Sequence, residues 1–339
     1  MHKKYRVAIV GAASIAGAEI LQVVEERLFP VEELLLFDAA EVEGDSLEYD
    51  GESIMIQPLG EEAFQGVDLV LFATDVELSR TFCPIAAAAG AVCIDSSAAW
   101  RMDPDVPLVA SEINPQDMAL YVRKRIVAAP GSAAIQLAGL LKPLHDHSPL
   151  RRVVVSAFQP VSGTGQQAID ELRVQAGELL NGRPATSKVY PHQVAFNCLP
   201  QVGVFLQNGY TSEEMLLVDE TRKLLGEPSL RITSTAVRVP VFYGQSAAVN
   251  VETEGRIGLA LARELLKGAP GLEVVDEPDN NDYPMPIDAA GQDAIFVGRI
   301  REDDSVENGL NLWVVSDNLR KGVGINVVQI AELLIATYL

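Results

Sequence analysis

The chain has few cysteines, few histidines, little positive charge and no long apolar run. Cys83, Cys93 and Cys198 are the only thiols in 339 residues. Three scattered cysteines build no disulfide framework, and Cys93 falls inside an apolar strand pattern, which suits a reducing cytoplasm. Lysine and arginine number 26 against 47 acidic residues, a net charge of -21. Proteins that hold a phosphate backbone carry a basic patch, so a nucleic-acid partner is not expected. No stretch nears the ~18 uninterrupted apolar residues of a membrane helix, so no membrane partner is expected. Nothing of signal-peptide type follows Met1-His2-Lys3-Lys4-Tyr5-Arg6. Four histidines are present, and His145 and His147, two apart, have no further ligands clustered with them. They read as solvated side chains, and no metal is expected.

What is present describes a soluble globular protein: 48% hydrophobic and 22% charged residues. The length exceeds that at which a single core usually splits, so two domains are expected. In the first, Arg6-Val7-Ala8-Ile9-Val10 is a short apolar strand, followed by Ile15, Ile20, Leu21 and Val24 at helical spacing. Further buried strands follow at Leu34–Phe37, Asp68–Ala73, Ala91–Asp95 and Arg125–Ala129, with an alanine-rich helix near Ser79–Ala89. Apolar strands alternating with helices indicate a parallel sheet covered on both faces, an α/β Rossmann-like domain. After Leu150 the strands are longer and partly alternating: 152–158, 230–241, 247–254, 294–301 and 310–316. That pattern predicts an α+β domain with a mixed or antiparallel sheet covered on one face. Helices are expected over 166–180 and 325–338. The expected division is 1–131, completed by 322–339, and 132–321.

Gly11-Ala12-Ala13-Ser14-Ile15-Ala16-Gly17 ends a strand and opens a helix. Such a turn lets backbone N–H groups approach a pyrophosphate at the helix N-terminus, making Gly11, Ala13, Ser14, Ile15 and Gly17 candidate cofactor residues. A tight turn needed only for packing is the alternative. No lysine or arginine occurs between Arg27 and Arg80, and Asp38 follows the second strand. An acidic residue there suits a ribose 2′-hydroxyl and a cation suits a 2′-phosphate, so NAD is favoured slightly over NADP. A solvated strand end is the other reading of Asp38.

Several motifs, in order along nearly the whole chain, resemble the aspartate-β-semialdehyde dehydrogenase family. They are Ser97-Ala98-Ala99-Trp100-Arg101, Phe158-Gln159-Pro160-Val161-Ser162-Gly163-Thr164-Gly165 and Ala195-Phe196-Asn197-Cys198-Leu199-Pro200-Gln201. Arg238-Val239-Pro240-Val241, Asp317-Asn318-Leu319-Arg320-Lys321-Gly322 and Asn326-Val327-Val328-Gln329 complete the set. The resemblance implies a thioacyl mechanism with hydride exchange at a nicotinamide, and a two-fold dimer formed by the second domain. It implies that Arg101, Glu213 and Arg238 hold the substrate anion, that Gln159 orients the acyl group, and that Ser162, Gly163 and Asn326 join the cofactor residues.

The departures cluster at the chemistry. Ala129-Pro130-Gly131-Ser132-Ala133-Ala134-Ile135-Gln136 places Ser132 where the family has its cysteine. Gly244-Gln245-Ser246 places Gln245 where the family has its histidine base, and Leu216 stands for a phosphate-binding lysine. A hydroxyl needs an adjacent base to become a nucleophile, and a carboxamide has no titratable proton. The expectation is a homodimeric homologue impaired in the parent reaction that retains binding of a small anionic metabolite, and NAD or NADP. The alternatives are a working NAD(P)-dependent semialdehyde dehydrogenase with altered chemistry, and a structural partner in mixed dimers with an active paralogue.

Overall fold

The computed structural model describes residues 3–339. It forms two compact units, one reaching Gly131 and including Gly322–Leu339, the other Ser132–Lys321.

The first unit is built on seven strands: β1 (Tyr5–Val10), β2 (Val31–Asp38), β3 (Ser46–Tyr49), β4 (Glu52–Pro58), β5 (Leu69–Phe72), β6 (Val92–Asp95) and β7 (Ile126–Ala128). Their order is β3-β4-β2-β1-β5-β6-β7, parallel throughout except for the β3–β4 pair. Every residue of β5, β6 and β7 is buried, which explains the unbroken apolar runs that flagged them. The helices α1 (Ile15–Glu26) and α2 (Val76–Ala88) start at N-caps Ser14 and Asp75, whose side chains accept N–H groups of the first turn. A C-terminal helix, Asn326–Thr337, sends Val327, Val328, Ile330, Ala331 and Leu334 into the same core as Val7, Ile9, Ile20 and Leu71. Strand order reverses between β1 and β5, the place where open α/β sheets bind ligands at their carboxyl edge.

The second unit opens with α3 (Ser132–His147) and continues through β8 (Leu150–Gln159), α4 (Gln166–Leu180), α5 (Ser212–Leu225), β9 (Arg231–Arg238) and β10 (Gln245–Thr253). It closes with α6 (Leu259–Lys267), β11 (Leu272–Val274), β12 (Ile295–Asp303) and β13 (Gly309–Ser316). The six strands run β11-β12-β13-β10-β8-β9, with β8–β9 and β11–β12 parallel and the rest antiparallel. In β8, Val153, Val155, Ala157 and Gln159 are buried, whereas Val154, Ser156 and Phe158 are half-buried on the other face. The covering helices pack against one another and the sheet: α3 on α5 and α6, α5 on β9, and α6 on β12. This is the α+β unit the sequence pattern predicts, a mixed sheet with one face covered.

Helices α3 and α6 and strand β11 lie outside the sequence reading, and three further local features depart from it. The β3–β4 hairpin turns on Asp50 and Gly51, both at positive φ, and its outer-edge strands are mostly exposed, so the pattern lacks a buried apolar run. Helix α5 was also not foreseen, although it carries a capping box, Thr211 with Glu214, and a left-handed Gly226 at its end. The third is β10, which starts two residues before the apolar pattern, at Gln245. Among the described residues no helix is long and apolar enough to cross a membrane.

Candidate active site

In the first unit, the loop after β1 tolerates nothing larger than glycine at two points. Gly11 sits at φ +83, and a Cβ there would lie 2.5 Å from the Ala73 carbonyl oxygen. A Cβ on Gly17 would lie 2.2 Å from the Gly11 carbonyl oxygen. Ser14 closes the turn: its Oγ donates to the Gly11 carbonyl (2.8 Å) and accepts the Gly17 N–H (2.9 Å). Ala13 is exposed and Ile15 begins α1 half-buried. The close backbone approach, the helix N-terminus and the exposed turn fit a dinucleotide pyrophosphate.

Asp38 is not the solvated strand end considered from sequence. Its Oδ2 accepts the Ala13 N–H and its Oδ1 the Ala39 N–H, each at 2.8 Å, so it ties the end of β2 to the glycine loop. Two other candidates hold the frame of this unit. Arg101 donates from Nε to the Ala129 carbonyl (3.0 Å) and from Nη2 to the Ser96 carbonyl (2.7 Å). Asn326 is buried and reaches the Val109 carbonyl at 3.5 Å.

In the second unit, sheet register assembles what the sequence scatters. Gln245 is opposite Ser316, and Gln159 is opposite Arg238. Ser246 is opposite Phe158, which places Gln245 and Gln159 as the next pair. Residues opposite one another share a face. Ser316, Gln245, Gln159 and Arg238 therefore form one row across β13, β10, β8 and β9, all buried on a mostly apolar face.

Helix α3 begins against this row. Ser132 Oγ donates to Gln245 Oε1 at 3.0 Å. One turn on, Gln136 Nε2 donates to Ser316 Oγ (2.9 Å) and the Gln245 carbonyl (3.1 Å). Gln159 Nε2 donates to Glu213 Oε1 at 2.9 Å, joining the row to α5. Arg238 is 5% exposed, donates from Nη1 to the Pro160 carbonyl and lies 5.9 Å from the Tyr190 ring centre. Burial holds its guanidinium below the usual arginine range, and Tyr190 and Glu213 act in the opposite sense. Ser162 exchanges hydrogen bonds with Asn318, and a Cβ on neighbouring Gly163 would sit 3.3 Å from Arg238 Nη1. The structure thus groups Ser162 and Gly163 with Arg238, in a different unit from the glycine loop. Two buried donors at the row, Arg238 Nε and Gln245 Nε2, have no partner among the described residues.

Three residues not singled out from sequence support the arginine. Glu171 accepts the N–H groups of Lys188 (2.7 Å), Val189 (2.5 Å) and Tyr190 (3.3 Å). Gln175, one turn on, accepts those of Val194 and Ala195. Together they pin the loop that carries Tyr190 over Arg238. Their only sequence signal is an i,i+4 Glu–Gln pair inside an amphipathic helix, which more often faces solvent. His145 also departs from expectation: it is half-buried, its Nδ1 accepts the Leu150 N–H (3.3 Å), and Nε2 lies 3.5 Å from Glu227. Among the described residues no group of three or more metal-ligating side chains occurs.

A nucleotide-type α/β unit and a second unit whose sheet ends in a buried polar row with an arginine define a two-domain protein of dehydrogenase type. Residues 6–121 match the model of the semialdehyde dehydrogenase NAD binding domain, and residues 141–321 match that of the semialdehyde dehydrogenase dimerisation domain. The chain is 48% identical to aspartate-semialdehyde dehydrogenase of Aquifex aeolicus over 98% of both chains. It is 43% identical to aspartate-semialdehyde dehydrogenase 2 of Vibrio cholerae over the full length of both. The crystal structure of the Vibrio cholerae enzyme II complexed with ASA superposes with a TM-score of 0.97 at 42% identity, covering 100% of each chain. A probable aspartate-semialdehyde dehydrogenase from Pseudomonas aeruginosa gives 0.93 at 33%, covering 99% of this chain and 100% of that one. The chain belongs to the aspartate-semialdehyde dehydrogenase family.

Proposed function

We propose that the chain is a homodimer that binds a nicotinamide dinucleotide in its first unit and a small carboxylate at Arg238 in its second, and does not run the family's thioacyl reaction. The observation that carries this reading is the Ser132–Gln245 hydrogen bond. Ser132 directs its hydroxyl proton at an amide oxygen, which accepts a hydrogen bond but does not take up the proton near neutral pH. General-base activation of a serine needs such an acceptor. No thiol replaces it nearby in sequence: Cys83 and Cys93 are buried in the first unit, and Cys198 stands on an exposed loop.

Gly11, Ala13, Ser14, Ile15 and Gly17 would hold the dinucleotide, with Asp38 anchoring the loop beside the ribose. A bound nicotinamide would supply hydride exchange. The absence of a cation after β2 supports NAD binding no weaker than NADP. Gln159, held by Glu213, and Arg238, backed by Tyr190, would orient the carboxylate, since a guanidinium matches its geometry. The family's dimerisation model, together with the half-buried Val154, Phe158 and Trp313 on the sheet's uncovered face, supports the homodimer.

The second reading is a working semialdehyde dehydrogenase with altered chemistry. It is favoured by relatives of 43% and 48% identity that bear the enzyme's name over their whole length. One assay separates the two: phosphate-dependent oxidation of aspartate semialdehyde by the purified chain, with NAD and with NADP. Background rates are expected. Turnover at about 1 s⁻¹ or faster, an ordinary dehydrogenase rate, removes the first reading in favour of the second.

A further inference from the structure

The Ser132–Gln245 pair leaves a specific chemical demand behind. Gln245 is 2% exposed, and its Oε1 is engaged by Ser132, so the amide turns Nε2 away from the serine. That nitrogen is a buried donor with no partner among the described residues, and so is Arg238 Nε on the far side of Gln159. A buried unmet donor is costly and uncommon in a packed fold, and two of them on one polar row call for acceptor atoms. The other members of the row are spoken for: Gln159 Nε2 by Glu213, and Ser316 Oγ by Gln136.

We infer that Gln245 is a recognition group, and that the row takes a short dicarboxylate, with one carboxylate on Arg238 and the other on Gln245 Nε2. This rests on the reading above that the second unit binds a carboxylate without turning it over. An imidazole at position 245 would draw a proton from its neighbour, whereas the carboxamide takes up none: its oxygen accepts the Ser132 hydrogen and its nitrogen offers hydrogens to a ligand. An aldehyde carbonyl answers it with a single neutral oxygen. A carboxylate brings negative charge and two oxygens, and hydrogen bonds to charged groups are the stronger kind. The two donors stand on strands separated by one other strand, roughly 10 Å apart at the backbone. Less the reach of the two side chains, that is the scale of a short diacid. Ser132 serves here as a positioning residue, fixing which end of the amide faces the ligand.

The test is isothermal titration calorimetry of the full-length protein with succinate and with butyrate, which has a methyl group in place of the second carboxylate. Succinate is expected to bind at least about tenfold more tightly, the difference made by a hydrogen bond to a charged group. In Gln245→Leu the preference is expected to vanish through loss of succinate affinity, with butyrate affinity unchanged. Equal affinities in the wild-type protein, or a preference that survives Gln245→Leu, overturn the inference. If that variant does not fold, the wild-type ratio still decides. Binding of butyrate without preference leaves the carboxylate reading standing and removes only the dicarboxylate. Binding of neither acid removes both, and turnover of the semialdehyde removes the non-catalytic reading itself.

Discussion

The glycine loop of the first unit and the polar row of the second both stand at the edge of a sheet, yet they are made of different material. The loop is backbone: Gly11, Ser14 and Gly17 shape one turn within seven residues, and side chains contribute a cap and the Asp38 anchor. The row consists of side chains from four strands, with contributions from two helices, and together they span residues 132 to 316. Backbone sites depend on where the chain is allowed to go. Side-chain sites depend on which functional groups arrive, so Ser132 and Gln245 change the chemistry and leave the sheet intact.

The largest expected effect bears on the loop. Gly17→Val places a β-carbon 2.2 Å from the Gly11 carbonyl oxygen, a rigid backbone atom that cannot move aside. A loss of about 3 kcal/mol in urea unfolding is expected, with dinucleotide binding abolished. A variant that unfolds within about 0.5 kcal/mol of wild type, the range of an inert surface change, would show that the loop is not the tight backbone device described here.

A comparable test of the second unit is Glu171→Ala, which strands the N–H groups of Lys188, Val189 and Tyr190. A cost of about 2 kcal/mol is expected from the unmet donors. Carboxylate binding should weaken as well, because the loop carrying Tyr190 is released. Glu171→Gln keeps one acceptor oxygen and should lose less on both counts. If stability falls and carboxylate affinity does not, Glu171 only braces the fold.

The smallest effect concerns Asp95, at the end of β6 in the first unit. Burial raises its carboxyl above the ordinary 3.8, against opposing hydrogen bonds from Ser79 and Ser97. A raised folded-state value means that its contribution to stability is full below 3.8 and is lost as pH rises through the folded value. Unfolding free energies of wild type and Asp95→Asn, measured from acid to neutral pH, should therefore converge on wild-type advantage at low pH and move toward the variant as pH rises. A constant difference would mean that Asp95 titrates alike in both states.

The two units also differ in how much of them could be read in advance. The parallel sheet was legible because buried strands such as Leu69–Phe72 are unbroken apolar runs, and the glycine loop because its parts are contiguous. The β3–β4 hairpin and α5 were missed although Asp50-Gly51 and Thr211…Glu214 are standard turn and cap signals. Their faces are mixed in polarity, so no apolar periodicity drew attention to them. In the second unit, Ser132, Gln159, Arg238 and Gln245 could be named from motif order, but Glu171, Gln175 and Tyr190 could not. A buried glutamate that accepts three loop N–H groups looks, in one dimension, like any helix-surface acid.

By itself the sequence determined the alternation of strands and helices, the need for glycine at 11 and 17, and the chemical identity of the residues at 132 and 245. Those follow from local sterics, hydrophobic periodicity and functional-group chemistry, all of which operate over a few residues. Only the tertiary structure decided that Ser316, Gln245, Gln159 and Arg238 share one row, that Asp38 ties the glycine loop, and that two donors in the row lack partners. Register between strands and the satisfaction of buried polar atoms are set by contacts between residues far apart in the chain, such as Gln245 with Ser316, and no local pattern encodes them.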